Sequence, residues 1–236
     1  MLPLTDVPDI LADRAAVLAA FDVSRETLAR LDRFVALLSH WQRTTNLVAA
    51  SAMPTLWTRH IADSLQLLGL VPRETVPWTW VDLGSGGGFP GLVIACALAE
   101  IPGARIHLIE SRARKAAFLR EAAQETGAPA IVHCGRIEDI GPHLRAEADI
   151  ITARGVAPLP QLCDLVAPIL RKGAKALLMK GQDIEAELTE ATKYWKIEFD
   201  LAPSRTSPAG RIMIVRAMSR SRGALPAKRG AHAGKG

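Results

Sequence analysis

The sequence predicts an α/β protein: a doubly wound, mostly parallel sheet with one antiparallel edge strand, preceded by a helical N-terminal extension. Three observations carry this. Residues 1–75 show apolar positions at three- and four-residue steps and no strand-like run. From residue 78 onward short β-branched segments alternate with helical ones, the order of a parallel sheet. The first of these segments runs into VDLGSGGGFPG (81–91), a glycine-dense strand-to-helix turn.

Each element follows in order. Residues 9–40 read as helical. In TLARLDRFVALLSHW the residues Leu28, Leu31, Val35, Leu38 and Trp41 form one stripe, with Ser24 as a weak cap ahead of Thr27. LVAASAMPTLWTRHIADSLQLLGL (47–70) is a second helical region, Pro54 near its start and Gly69 near its end. Then come strand 78–84, helix 91–101, strand 104–110 and helix 111–127, which a glycine ends. Strands at 129–134, 148–154 and 173–181 follow, with helices near 158–171 and 183–195. WKIEFDLAP and GRIMIVRAM close the sheet as a strand pair with no helix between them, which supplies the antiparallel edge. The domain reading is a helical extension over 1–75, a sheet domain over 76–218 and a basic, disordered tail over 219–236.

Composition narrows the class. The 236 residues are 49% hydrophobic and 22% charged, ordinary for a globular chain with a full core. No apolar run reaches the roughly 18–20 residues that a membrane span needs. The start, MLPLTDVPDILADR, lacks the basic-then-apolar order of a signal peptide. Cys96, Cys134 and Cys163 are odd in number and far apart, so neither a disulfide framework nor a metal site is expected. A reducing cytoplasm fits this usage. Of 29 Lys and Arg, six lie from Arg216 onward with no acid among them, so the net charge of +5 rests on the tail. Such a tail reads either as a nucleic-acid contact or as a solubilising segment.

The glycine turn admits two registers. Gly86 to Gly91 matches G-x-G-x-x-G, the dinucleotide fingerprint, with Glu110 nineteen residues beyond as its ribose-binding acid. Asp82 to Gly88 matches D-x-G-x-G-x-G, the first motif of class I S-adenosyl-L-methionine-dependent methyltransferases. A pyrophosphate needs free N–H donors at a helix start, and Pro90 removes one while Phe89 crowds the place. Asp82 would also repel phosphate. A cationic, phosphate-free ligand suits an acid beside the loop, directly or through water, and Glu110 would accept hydrogen bonds from its ribose hydroxyls. The second register is therefore preferred, and the fold becomes a Rossmann-like class I methyltransferase sheet.

Seven segments then carry a resemblance: HWQRTTNLVA, RHIADSLQLL, VDLGSGGGFPGLVIA, HLIESRARKAAFL, GRIED, ITARGVAPL and LLMKGQ, in this order. Over about residues 35–182 the chain resembles the glucose-inhibited division protein B family, bacterial methyltransferases of N7 of a guanine in 16S ribosomal RNA. The resemblance implies S-adenosyl-L-methionine as cofactor, and 16S ribosomal RNA or the small ribosomal subunit as partner. No membrane and no metal is expected, and the chain is expected to be a monomer. It implies that Asp82, Gly84, Gly86 and Phe89 border the cofactor, that Glu110 holds its ribose, and that Ile137 and Glu138 hold its adenine. Glu110 departs from the aspartate usual there by one methylene. Arg154 would sit by the cofactor and the methyl acceptor.

Further residues are expected on the substrate side. Lys180, at a strand end, would meet O6 of the guanine or a phosphate. Arg43, Arg112, Arg114 and Lys115 would meet the RNA backbone. His60, on one helix face with Asp63 or Ser64, serves substrate approach or packing. Other readings stay open for several positions. Glu138 and Asp139 also fit as acids at a helix start, Arg154 as a structural ion pair, and Lys180 as a solvated lysine. Trp41 and Trp57 read as core. Guanine N7 has a lone pair and no proton to lose, so an in-line displacement at methyl needs no general base. Two rival functions draw on the same residues. A nicotinamide-dependent oxidoreductase would use the overlapping fingerprint but shows no hydride-transfer motif. A non-catalytic ribosome-binding module would have no need of Asp82, Glu110 and Arg154.

Overall fold

A computed structural model describes residues 8–71 and 78–221. The first two helices are α1 (Pro8–Ala20) and α2 (Arg25–Gln42). Ser24 caps α2 by accepting the Thr27 amide at 3.1 Å, as expected of a serine just before a helix. On α2, Leu31, Phe34, Val35 and Leu38 are fully buried, while Leu28 and Trp41 pack at the margin of the core.

The second helical region is present but irregular. It runs as a 3₁₀ turn (Ala50–Thr55), a π-helical turn (Trp57–Ala62), a short α3 (Asp63–Leu65) and a second 3₁₀ turn (Gln66–Leu70). Pro54 lies inside the first turn, where it donates no backbone hydrogen bond. The orphan amides that begin the π turn are met from elsewhere: Asp13 of α1 accepts from the Trp57 and Thr58 amides at 2.8 and 3.1 Å.

Seven strands follow: β1 (Thr79–Leu83), β2 (Arg105–Glu110), β3 (Ala130–Cys134), β4 (Ile150–Arg154), β5 (Lys175–Lys180), β6 (Trp195–Pro203) and β7 (Arg211–Arg220). They form one sheet in the order β3-β2-β1-β4-β5-β7-β6. β1 to β5 are parallel, and β7 runs antiparallel to both β5 and β6. The closing pair therefore supplies the antiparallel end of the sheet by inserting β7 between β5 and β6. Between the strands lie α4 (Gly91–Ala97), α5 (Ala113–Thr126), α6 (Ile137–Ile140), α7 (Leu159–Val166) and α8 (Ile184–Ala191). Gly127 ends α5 in the left-handed conformation at φ 64°. The short α6 carries Glu138 and Asp139 in its first turn, in keeping with the reading of these acids at a helix start.

Two hydrophobic clusters cover the two faces of the sheet. Trp80, Ile106 and Leu108 join α1, α2, the irregular helical segment, α4 and α5 on one face. Val81, Leu83 and Ile109 join α7 and α8 on the other. This alternation along β1 and β2 is why these central strands read as nearly continuous apolar runs. Trp57 is wholly buried, so it is core. The Trp41 ring packs tilted against Phe118 of α5, 5.8 Å between centroids. Strand β7 continues to Arg220, two residues into the segment expected to be tail, and residues 222–236 lie outside the described residues.

Candidate active site

Strand order reverses between β2-β1 and β4-β5, so the crevice at the carboxyl ends of β1 and β4 is where a doubly wound sheet offers a ligand site. A cavity of about 890 Å³ opens there. Its wall takes Gly84 and Gly86 from the loop after β1, Glu110 from the end of β2, and Ile137 and Glu138 from the start of α6. Phe89, Lys115, Arg154 and His60 complete the set of sequence-expected residues on this wall. Arg112 lines it as well.

The loop's conformation depends on its glycines. Gly84, Gly86 and Gly88 all have positive φ (67°, 53° and 92°). Four of its amides are spent inside the protein. Ser85 donates to the Ile109 carbonyl, Gly86 to Glu110 Oε2 at 2.9 Å, Gly88 to the Ser85 carbonyl, and Gly91 to Asp82 Oδ2 at 3.3 Å. A pyrophosphate cradle requires such donors to be free, so these four amides are not available to one.

Glu110 is buried, and it takes a second amide, that of Arg112, on Oε1 at 2.7 Å. Each oxygen keeps a lone pair beyond the bond it already accepts, which suits a vicinal diol. A cavity of this size with a glycine floor, one buried carboxylate and a mixed polar wall fits a nucleoside-type cofactor such as S-adenosyl-L-methionine.

Asp82 does not line the cavity. It is fully buried beneath the loop, where Thr152 Oγ1 donates to its Oδ1 at 2.7 Å. The expectation of an acid beside the ligand is corrected here: both carboxylate oxygens are engaged in holding β1, β4 and the start of α4. Burial pushes its pKa up to about 6, and the Thr152 hydrogen bond moderates the rise. Gly91 has to be glycine for the same reason. A Cβ there would come within 2.4 Å of a Leu108 methyl and 2.6 Å of Asp82 Oδ2.

The opposite wall is a cluster around Arg154. Its guanidinium donates to Asp63 Oδ2 at 3.1 Å and to the Arg59 carbonyl at 2.9 Å, and contacts His60 Nδ1. His60 stacks on Phe89 at 4.7 Å between ring centroids. Burial, with Arg154 and Arg59 nearby, drives the His60 pKa down to about 3, so the ring is neutral. Burial lowers the Arg154 pKa as well, and Asp63 opposes that shift. The π turn carries Arg59 and His60 to this wall, with Asp63 directly after it at the start of α3.

Residues 27–206 match the GidB family model, described as rRNA small subunit methyltransferase G. The chain belongs to that family. A relative from Bradyrhizobium sp. strain BTAi1, named ribosomal RNA small subunit methyltransferase G, is 60% identical over 211 residues, covering 89% of this chain and 94% of the relative. One of the same name from Rhodopseudomonas palustris strain BisB18 is 51% identical over 224 residues, covering 95% and 94%. Among solved structures, MtNAS in complex with MTA and tNA aligns with a TM-score of 0.54 at 14% identity, covering 88% of this chain and 75% of that one. Aeropyrum pernix fibrillarin with natively bound S-adenosyl-L-methionine aligns at 0.51 and 16%, covering 67% and 75%. These two structures bear on the fold alone.

In this member of the methyltransferase G family, three residues expected on the substrate side lie off this cavity: Lys180, Arg43 and Arg114, whose Nε donates to Thr45 Oγ1 at 2.6 Å. Lys180 is tied to Glu187 at 2.5 Å and donates to the Ala157 carbonyl at 3.3 Å, so its ammonium is already matched. Arg43 is exposed at the C-terminal end of α2 and lines neither this cavity nor its neighbour. Thr152 and Thr206 are not singled out by the sequence. Thr206 donates to Asp63 Oδ1 at 2.7 Å and so braces the carboxylate that holds Arg154. The one available signal for Thr152 is a polar residue in the middle of the apolar strand IITAR. Among the described residues no cluster of three or more potential metal ligands occurs.

Proposed function

We propose that this chain transfers a methyl group from S-adenosyl-L-methionine to N7 of one guanine of 16S ribosomal RNA, as a cytoplasmic monomer. Family membership over most of the chain supports the reaction. The observation that carries the cofactor reading is the loop itself: it spends four of its amides internally and sets the Glu110 carboxylate in the cavity wall. That disfavours a phosphate cradle and favours a diol-bearing ligand.

When bound, S-adenosyl-L-methionine supplies an electrophilic methyl group on a sulfonium sulfur. Glu110 would hold the ribose, Gly84 and Gly86 would let the backbone approach, and Ile137 with Glu138 would flank the adenine. Phe89 would border the site, and Asp82 would act from below by fixing the loop. The acceptor nitrogen has no proton to lose, so the chain needs no general base. Consistent with that, His60 is neutral and its Nδ1 faces a guanidinium, which leaves it no capacity to take a proton there. The contribution of the protein is then positioning and exclusion of water, for which about 7–11 kcal/mol of barrier is available. Lys115 and Arg112, on the cavity rim, would meet the RNA backbone.

The test is incubation with methyl-labelled S-adenosyl-L-methionine and small-subunit RNA or subunits lacking the modification, followed by nucleoside analysis. Label in 7-methylguanosine is expected. Tight binding of NADH with no methyl transfer would reject the reading.

A further inference from the structure

A second cavity, of about 650 Å³, adjoins the first. Both are lined by His60, Arg154 and Gly155, so these residues form a common wall. Building on the methyltransferase reading above, we propose that this second cavity receives the target purine of the RNA, unstacked from its neighbours, and that the common wall selects guanine.

The lining suits such a ligand. Ala52, Met179 and Ile212 are buried and offer an apolar surface to a flat base. The charged lining residues are Arg59, Arg154, Lys180 and Arg211 against Asp63 and Glu187. Both acids are already paired, Asp63 with Arg154 and Glu187 with Lys180. The surplus positive charge therefore rests on Arg59 and Arg211, neither of which has an ion pair among the described residues. That is the balance expected for a base that arrives with its phosphates. The β6–β7 connection lines it as well, where Ser204, Thr206 and Ser207 add hydroxyl groups.

His60, on the common wall, offers a donor for the base. The Arg154 guanidinium can only donate, so Nδ1 of His60 accepts and Nε2 carries the proton. That Nε2 is shielded and has no hydrogen-bond partner among the described residues. A buried donor without an acceptor is uncommon in a folded protein. On the edge that bears N7, guanine presents O6 as an acceptor, whereas adenine presents an amino donor. A small rotation of the ring on Phe89 would let Nε2 donate to O6 while N7 stays free. The same role was expected of Lys180, whose ammonium is already matched. Because a deep A-form major groove hides N7, the base has to leave the stack to be read in this way.

Cross-linking tests the pocket directly. RNA carrying 6-thioguanosine is irradiated with the protein in the presence of S-adenosylhomocysteine, and the cross-linked peptides are mapped. Cross-links to the residues that line this cavity, within 49–63, 154–155, 179–187 or 204–212, are expected; cross-links confined elsewhere overturn the proposal. Ser207→Trp and, on the opposite side, Ala49→Leu would fill the cavity. Either is expected to leave cofactor affinity unchanged by calorimetry and to raise the KM for RNA about tenfold or more. Filled variants with unchanged kcat/KM would overturn the pocket even though the wild-type protein methylates RNA. A wild-type protein that neither binds the cofactor nor transfers label would instead defeat the underlying reading. Free GMP serves as competitor: protection of these peptides by GMP as strong as that by RNA would assign the cavity to a mononucleotide and overturn the RNA assignment.

Discussion

Asp82 and Thr152 meet beneath the glycine loop, Thr152 Oγ1 donating to Asp82 Oδ1 at 2.7 Å, and both residues are wholly buried. They sit side by side in the register of β1 and β4, the strands that flank the reversal of the sheet. The acid that the sequence places at the ligand is therefore a fastener of the two strands from which the site is built.

Its raised pKa makes stability pH-dependent. A carboxyl whose folded pKa is about 6, above its unfolded value of 3.8, favours the fold when protonated, and that contribution is lost as pH rises through 6. A difference of that size between the folded and unfolded chain is worth about 3 kcal/mol. Denaturant titrations of wild type and Asp82→Asn at pH 4, 5, 6 and 7 are expected to show the wild type losing up to about 3 kcal/mol relative to the variant across this range. Parallel curves would mean that Asp82 is solvated.

Gly91→Ala tests the packing at the same place. The added Cβ would press on Leu108 and on the Asp82 carboxylate. Overpacking of this kind costs about 1–3 kcal/mol. A drop of several degrees in Tm is expected, measured by calorimetry, and a variant as stable as the wild type would contradict the contact.

Glu110 separates the cofactor from the fold. Glu110→Ala removes the acceptor of the Gly86 and Arg112 amides as well as the ligand's diol partner. A loss of about tenfold or more in S-adenosyl-L-methionine affinity is expected by calorimetry. Glu110→Asp should lose less, since it keeps the carboxylate.

His60 should not titrate in the physiological range. Its pKa of about 3 lies below the unfolded value near 6.5, so the neutral ring favours the fold above pH 6.5 and that contribution fades as pH falls. The ring proton signals of His60 in NMR spectra are expected to stay flat from pH 8 to 5, with the proton on Nε2. A midpoint near 6.5 would contradict the Arg154–His60 contact.

Lys115 lines the cavity at the start of α5. Lys115→Ala is expected to weaken RNA binding with little dependence on sequence and to lower the slope of log K against log salt by about one. Filter binding over a salt series measures it, and an unchanged slope would place Lys115 away from the backbone.

Much of this is legible in the chain because it is local. Alternating apolar segments give the strands, Ser24 and Gly127 the ends of helices, and the spacing from Asp82 to Glu110 the cavity's two carboxyl-bearing strands. What stays hidden depends on contacts between distant residues. The pairing of Lys180 with Glu187 joins a strand end to a helix, and nothing near Lys180 in the sequence announces it. The grip of Asp63 on Arg154 spans 91 residues, and its brace by Thr206 spans 143. The irregular turns over 50–70 escape for a further reason: their apolar spacing resembles that of an α-helix, while Pro54 and the cap from Asp13 set a different winding.

Methyl transfer to a single ring nitrogen is the claim on which the rest depends. Borohydride reduction followed by aniline cleaves RNA only where a guanine carries a methyl group at N7. Small-subunit RNA lacking the modification, treated with this protein and S-adenosyl-L-methionine, should give one new cleavage site, absent with Arg154→Ala. Methyl label incorporated without any cleavage, or cleavage scattered over many guanines, would contradict it.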